Sequence, residues 1–122
     1  MLSRKLAVGL AFVLALTAGW TGPVLAHAKL VQSDPAANNA GPAPKSFTLT
    51  FNEKVSPAFS GFEVSMGAGM DVKVTTKISD DGKTITGIPM GPFMRGTYKL
   101  SWHAAAVDDG HRTEGSFTFQ VK

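Results

Sequence analysis

Hydrophobic and polar residues alternate along four stretches of the chain, which is the pattern of β-strands that bury one face. In the first, Phe47, Leu49 and Phe51 fall on one side and threonines fall on the other. The same period of two residues occurs in residues 62–66, 97–103 and 116–121. We therefore predict four half-buried strands at these positions.

Less regular stretches at residues 29–33, 72–76 and 84–88 complete a predicted set of about seven short strands. The last two flank Ser79–Lys83, whose Asp-Gly pair is a strong hairpin signal. Residues 36–44 are rich in Ala, Asn, Gly and Pro, which is typical of a loop. No stretch after residue 26 shows the 3.6-residue apolar period of an amphipathic helix.

Short strands separated by glycine and proline favour a two-sheet antiparallel β-sandwich, and a small closed barrel is the alternative. On either arrangement, the predicted core consists of large apolar residues from the alternating faces. They are Phe47, Phe51, Phe62, Leu100, Trp102, Phe117 and Phe119.

Residues 1–26 have the layout of a secretory signal peptide, with Arg4 and Lys5 before an apolar run over residues 6–16. This run is too short to span a bilayer, although a retained membrane anchor is the alternative. Cleavage after Ala26 leaves 96 of the 122 residues, which is enough for one domain, residues 27–122. Ala26-His27-Ala28 is also an acceptable signal, and cleavage after Ala28 would remove His27.

Charge and cysteine content exclude several kinds of function. The leader holds two of the 12 basic residues and none of the nine acidic ones, so the formal net charge falls from +3 to +1 on cleavage. The remaining lysines are scattered among acids, so we expect no nucleic-acid partner. The absence of cysteine excludes thiolate metal sites and leaves the fold to core packing alone.

The two ends of the domain carry a candidate metal-binding set. An N-terminal His27 offers its α-amine and its imidazole, while Asp109 and His111 offer a carboxylate and a second imidazole. In extended backbone the latter two side chains point to the same side. Three nitrogens and one oxygen suit copper(II), and binding should weaken in acid because the α-amine must lose a proton. A solvated turn is the alternative for residues 108–111.

Glu53, His103 and four methionines are further residues that could lie at or near a metal. Glu53 ends a predicted strand with the parity of the core residues, so it either faces the interior beside a metal or lies in water. His103 is expected to be an exposed or hydrogen-bonded strand residue. Packing is favoured over copper(I) binding for the methionines, which are spaced four apart in two pairs. These methionines are Met66, Met70, Met90 and Met94.

Over the whole of residues 27–122 the sequence resembles the CopC family of periplasmic copper-binding, copper-resistance proteins. The matching fragments, in order, are His27-Ala28, Ser33-Asp34-Pro35-Ala36, Phe51-Asn52-Glu53-Lys54-Val55, Phe59-Ser60-Gly61-Phe62, Gly96-Thr97-Tyr98-Lys99-Leu100-Ser101-Trp102 and Asp109 to Phe117. The resemblance implies a seven-stranded antiparallel Greek-key β-sandwich, which is Ig-like or cupredoxin-like. It also implies one copper(II) ion bound by His27, Asp109 and His111, with Glu53 beside the site.

The resemblance further implies a periplasmic, non-enzymatic copper carrier or buffer that exchanges the ion with a membrane copper transporter of the CopD type. We expect a monomer. We also expect no copper(I) site, because the methionines are sparser than in the family and the methionine segments lack the histidine that the family has there. An enzyme similar to the histidine-brace copper monooxygenases is one alternative function. A metal-free Ig-like interaction module is another.

Overall fold

In a computed structural model, the structure is described for residues 27–67 and 69–122, so the predicted signal peptide lies outside it. The strands are β1 (Leu30–Asp34), β2 (Ala40–Gly41), β3 (Phe47–Phe51), β4 (Gly61–Ser65), β5 (Asp71–Val72), β6 (Val74–Ile78), β7 (Thr84–Pro89), β8 (Gly96–Ala105) and β9 (Arg112–Val121). A 3₁₀ helix spans Pro57–Phe59. Within these residues no helix has the length and hydrophobicity that crossing a membrane requires.

The strands form two sheets, one in the order β1-β3-β7-β6 and one in the order β2-β9-β8-β4-β5. The paired strands are antiparallel except for β2 and β9, which run parallel. The predicted all-β sandwich is therefore confirmed. Seven of the nine strands in the described residues have five or more residues, and each of the seven predicted strands overlaps one of them. The two-residue strand β2 lies in the predicted loop at residues 36–44. Two paired residues are too few to produce an alternation of apolar and polar residues in the sequence.

The prediction of one strand over residues 72–76 is wrong. Val72 pairs with Val64 in the five-stranded sheet, whereas Val74 begins a strand that pairs with β7 in the four-stranded sheet. The chain thus changes sheets at Lys73. Apolar and polar residues continue to alternate across this point, so the sequence pattern does not reveal the change of partner.

The predicted hairpin between β6 and β7 is confirmed. Gly82 has a φ of 74°, the left-handed region that glycine adopts at low cost. Asp81 accepts hydrogen bonds from the Ser79 hydroxyl and the Lys83 backbone N–H. These two bonds lower the pKa of Asp81 below its ordinary value, because they stabilise the ionised carboxylate.

The core lies between the two sheets and contains most of the predicted residues. Phe47, Phe51, Phe62, Leu100 and Phe119 are buried, while Trp102 and Phe117 are only partly buried and pack against this core. The ring of Phe47 lies 5.6 Å from that of Phe62 and 5.8 Å from that of Phe119, between centroids. Aromatic contacts therefore join the two sheets.

A glycine leaves room for this packing. A Cβ added at Gly87 would lie 2.5 Å from Phe62 Cζ and 2.6 Å from Val74 Cγ1. These distances are too short for real atoms, so the neighbouring side chains occupy the space that a larger residue would need.

The longest strands, β8 and β9, pair in register from Gly96 opposite Val121 to Ala105 opposite Arg112. The loop that joins them is held to the segment that follows β3, because the Val107 N–H donates to the Lys54 carbonyl at 3.0 Å. This arrangement positions the loop containing Asp109 and His111 at one end of the sandwich.

Candidate metal centre

The loop between β8 and β9 is a tight turn stabilised by its own backbone. The Gly110 N–H donates to the Ala106 carbonyl at 2.9 Å, and the Ala106 N–H donates to the His111 carbonyl at 3.1 Å. Gly110 has a φ of 71°, which favours glycine at this position. The Asp109 carboxylate accepts a hydrogen bond from the His111 backbone N–H at 3.0 Å. The backbone of residues 108–111 thus agrees with the solvated-turn alternative.

The beginning of the described chain is held against this loop. Ala28 is fully buried, and its carbonyl accepts a hydrogen bond from Thr113 Oγ1 at 2.7 Å. Lys29 and Asn52 exchange two hydrogen bonds, one to the Asn52 side chain at 2.7 Å and one between backbones at 3.0 Å. His27 is therefore placed next to the start of β9.

All three predicted ligands converge. One ligating atom from each of His27, Asp109 and His111 lies within 4.8 Å of the other two. The two imidazole rings are stacked with centroids 5.0 Å apart and an interplanar angle of 26°. His111 Nδ1 lies 3.3 Å from Asp109 Oδ2, so the carboxylate can orient this ring. His27 is half-buried and the other two residues are exposed.

The spacing of these atoms is suited to one transition-metal ion. Donors that bind one ion at about 2.0–2.2 Å lie no more than about 4.4 Å apart, so small side-chain rotations would bring this set into range. Imidazole and carboxylate donors without thiolate suit divalent ions such as copper(II). Their role as ligands stays a prediction.

Glu53 lies in the segment that contacts both parts of the site. Its neighbour Asn52 binds Lys29, and its other neighbour, Lys54, accepts a hydrogen bond from Val107. Within the described residues, Glu53 Oε1 is buried and has no hydrogen-bond partner. A buried carboxylate oxygen without a partner is costly, and a nearby cation would reduce that cost. Burial of this oxygen favours the inward-facing alternative over a glutamate in water.

The third histidine is separate from this cluster. His103 is half-buried on β8, opposite Glu114 of β9 and Gly61 of β4. It lines a polar groove on the outer face of the five-stranded sheet, together with Glu63 and Lys99. His103 provides a control for the two clustered histidines.

The methionines divide into two kinds. Met66 packs against the core, as expected, whereas Met70, Met90 and Met94 are exposed. Met66, Met70 and Met94 line one shallow cleft, and the Thr75 hydroxyl lies 2.8 Å from Met90 Sδ. Packing therefore accounts for one of the four. The expectation that they bind no copper(I) stays a prediction.

Sequence reasoning missed two residues that hold the site together, Asn52 and Thr113. Both lie within two positions of a predicted site residue, Glu53 or His111. Only this proximity marks them, because a polar residue at a strand end and a threonine within a strand are common in any β-protein.

The fold and the clustered side chains define a small β-sandwich with a nitrogen- and oxygen-donor site at one end. The CopC domain model matches residues 30–122, and the chain belongs to the CopC family. It is 37% identical to copper resistance protein C from Xanthomonas campestris pv. juglandis, over 98% of this chain and 97% of that protein. It is 39% identical to copper resistance protein C from Pseudomonas syringae pv. tomato, over 91% and 94% of the two chains.

The structure is similar to that of PcoC, a methionine-rich copper resistance protein from Escherichia coli. The TM-score is 0.72 at 34% sequence identity, over 80% of this chain and 100% of that chain. The resemblance to the CopC family and the sandwich fold are therefore both confirmed.

Proposed function

We propose that this protein is an exported, non-enzymatic carrier or buffer of copper(II) that acts in copper resistance. One ion would be bound by the α-amine and imidazole of His27, the carboxylate of Asp109 and the imidazole of His111. The observation that carries the proposal is the convergence of these three side chains, although most of the described chain separates His27 from the other two.

Two further observations support copper as the cargo. The chain contains no cysteine, so the site has only nitrogen and oxygen donors, which copper(II) accepts readily. The relatives described above are named for copper resistance. Glu53 would lie beside the ion and offset its charge, which accounts for a buried carboxylate oxygen without a hydrogen bond.

The proposal requires that the leader be removed after Ala26 in the periplasm. Only this cleavage converts the His27 backbone nitrogen from an amide into a free amine. The amine has a lone pair that can bind the ion, whereas the lone pair of an amide nitrogen is delocalised into the carbonyl. Cleavage after Ala28 would discard His27 and leave Asp109 and His111 alone. The remaining residues 27–122 would form one domain and, we infer, a monomer.

Transfer of the ion is the inferred role, and the partner would be a membrane copper transporter of the CopD type. Asp109 and His111 are exposed, so another protein can reach the ion. An oxygen-activating enzyme needs an open position on the metal. Asp109 Oδ2 lies 3.3 Å from His111 Nδ1, so this carboxylate would occupy that position, which favours a carrier over a monooxygenase.

Stoichiometric titration of the exported protein with copper(II) tests this function. We expect one tightly bound ion, and a large loss of affinity in His27→Ala and in His111→Ala. His103→Ala is the matched control, because this histidine lies outside the cluster. A correctly processed protein that takes up no copper(II) would refute the proposal.

A further inference from the structure

One peptide group near the start of the described chain has both of its polar atoms bound by side chains, one from β9 and one from the residue that follows β3. Thr113 Oγ1 of β9 donates to the Ala28 carbonyl at 2.7 Å. The Lys29 N–H, which belongs to the same peptide group, donates at 2.7 Å to the Oδ1 of Asn52, which directly follows β3. The group is therefore fixed from two sides.

This peptide group is one residue away from His27. Consecutive Cα atoms are about 3.8 Å apart across a trans peptide, so few dihedral angles remain to place the His27 amine and ring. Ala28 has no exposed surface, so it cannot shift without disturbing the core. Thr113 is the second residue of β9, which begins directly after His111, so its hydroxyl connects the residue next to His27 to the strand that follows His111.

We propose that Thr113 is a positioning residue, which with Asn52 holds the Ala28–Lys29 peptide group so that the donors of His27 face His111. The inference rests on the proposed copper(II) function and deepens it. A donor that is already in place need not be ordered when the ion binds, so the hydroxyl contributes to affinity without touching the metal.

A purely structural role for the same hydroxyl has different consequences. Thr113 Oγ1 also lies 3.5 Å from the Ala104 carbonyl of β8, so it could simply satisfy buried backbone groups. In that case its loss lowers the free energy of unfolding. The position of the His27 ring, and the copper affinity of the folded protein, then stay unchanged.

The first part of the test uses metal-free exported protein whose start at His27 is verified by intact mass. Nuclear Overhauser contacts between the rings of His27 and His111, whose centroids are 5.0 Å apart, report their relative position. We expect Thr113→Val to lose these contacts and Thr113→Ser to keep them. Thr118→Val, an exposed position on the same strand, is the control and should also keep them.

The second part measures copper(II) dissociation constants at a temperature where every variant is fully folded. We expect Thr113→Val to bind about tenfold more weakly, with Thr113→Ser within about twofold of the wild type. A second species should also appear in the electron paramagnetic resonance spectrum of copper-loaded Thr113→Val. Asn52→Ala, which removes the acceptor of the Lys29 N–H, should behave like Thr113→Val and replaces it if that variant does not fold.

Unchanged ring contacts in Thr113→Val, or an affinity equal to the wild type, would overturn the inference. Wild-type protein that binds no copper(II) would instead refute the proposed function. In that case, the ring contacts of the metal-free protein still decide whether Thr113 positions His27.

Discussion

The imidazole rings of His27 and His111 are stacked with centroids 5.0 Å apart, although most of the described chain lies between the two residues. The backbone at each residue is held by contacts of its own. His111 is positioned by the turn between β8 and β9, and His27 by the buried Ala28 that follows it. The fold thus brings together the two parts of the proposed donor set before any ion binds.

Copper(II) should stabilise the folded protein. A ligand at about 100 times its dissociation constant adds about 2.7 kcal/mol if it binds only the folded state. For a domain of this size that corresponds to a rise in Tm of about 10–20 °C, measured by thermal unfolding with and without copper. The His27→Ala variant should show a much smaller rise. Equal Tm values for the wild type in both conditions would favour a metal-free interaction module.

Glu53→Gln should separate metal binding from stability. Removing the charge of a carboxylate with one buried oxygen, which has no hydrogen-bond partner among the described residues, should leave the free energy of unfolding of the metal-free protein unchanged or higher. Copper(II) affinity should fall about tenfold, since groups beside a metal site tune its affinity. Urea unfolding and copper titration of the same sample measure the two effects. Glu63→Gln, on the exposed face of β4, should change neither.

Gly87→Ala should destabilise the sandwich by about 1–3 kcal/mol, because the new Cβ would overlap Phe62 and Val74. Gly91→Ala is the matched control, since among the described residues no atom beyond its two chain neighbours lies within 4 Å of the added Cβ. It should change the free energy of unfolding by less than about 0.5 kcal/mol. Urea unfolding measures both. Equal stability of the two variants would contradict this, because it would show that Phe62 and Val74 can move to make room for the added Cβ.

The hairpin turn should contribute stability that depends on pH. The pKa of Asp81 is lowered in the folded protein by the Ser79 hydroxyl and the Lys83 N–H, so its ionised form stabilises the fold. This contribution is present above the unfolded pKa of about 3.9 and is lost as the pH falls through the folded value. The stability difference between wild type and Asp81→Ala should therefore be larger at pH 7 than at pH 2. Asp80→Ala controls for removal of a charge from the same loop, and a difference independent of pH would contradict the assignment.

The sequence predicted the strands best where one face is buried. Phe47, Leu49 and Phe51 alternate because β3 lies in the middle of its sheet with one face against the core. The switch of sheets at Lys73 was not predictable, because alternation depends on which face is buried and not on which strand is the neighbour.

In the candidate site too, the sequence predicted the local arrangement but not the long-range contacts. Asp109 and His111 are close in sequence, so their spacing alone predicted that they could act together. The approach of His27 depends on Ala28, Asn52 and Thr113, whose contacts span as many as 85 positions. Local pattern cannot reveal such contacts, and only the resemblance to the CopC family indicated that the two ends meet.

Copper(II) titration of the exported protein, alongside a variant with one alanine inserted before His27, tests the central claim most directly. The insertion keeps every side chain but turns the His27 nitrogen into an amide. We predict that the intact mass of the exported protein corresponds to a chain beginning at His27 and that this protein binds one ion. The variant should bind copper(II) more than about 100-fold more weakly, since mutating a residue that only contacts a metal ligand already lowers affinity by about 10–100-fold. An exported chain that begins at Lys29, or equal affinity in the two proteins, would contradict this account of the site.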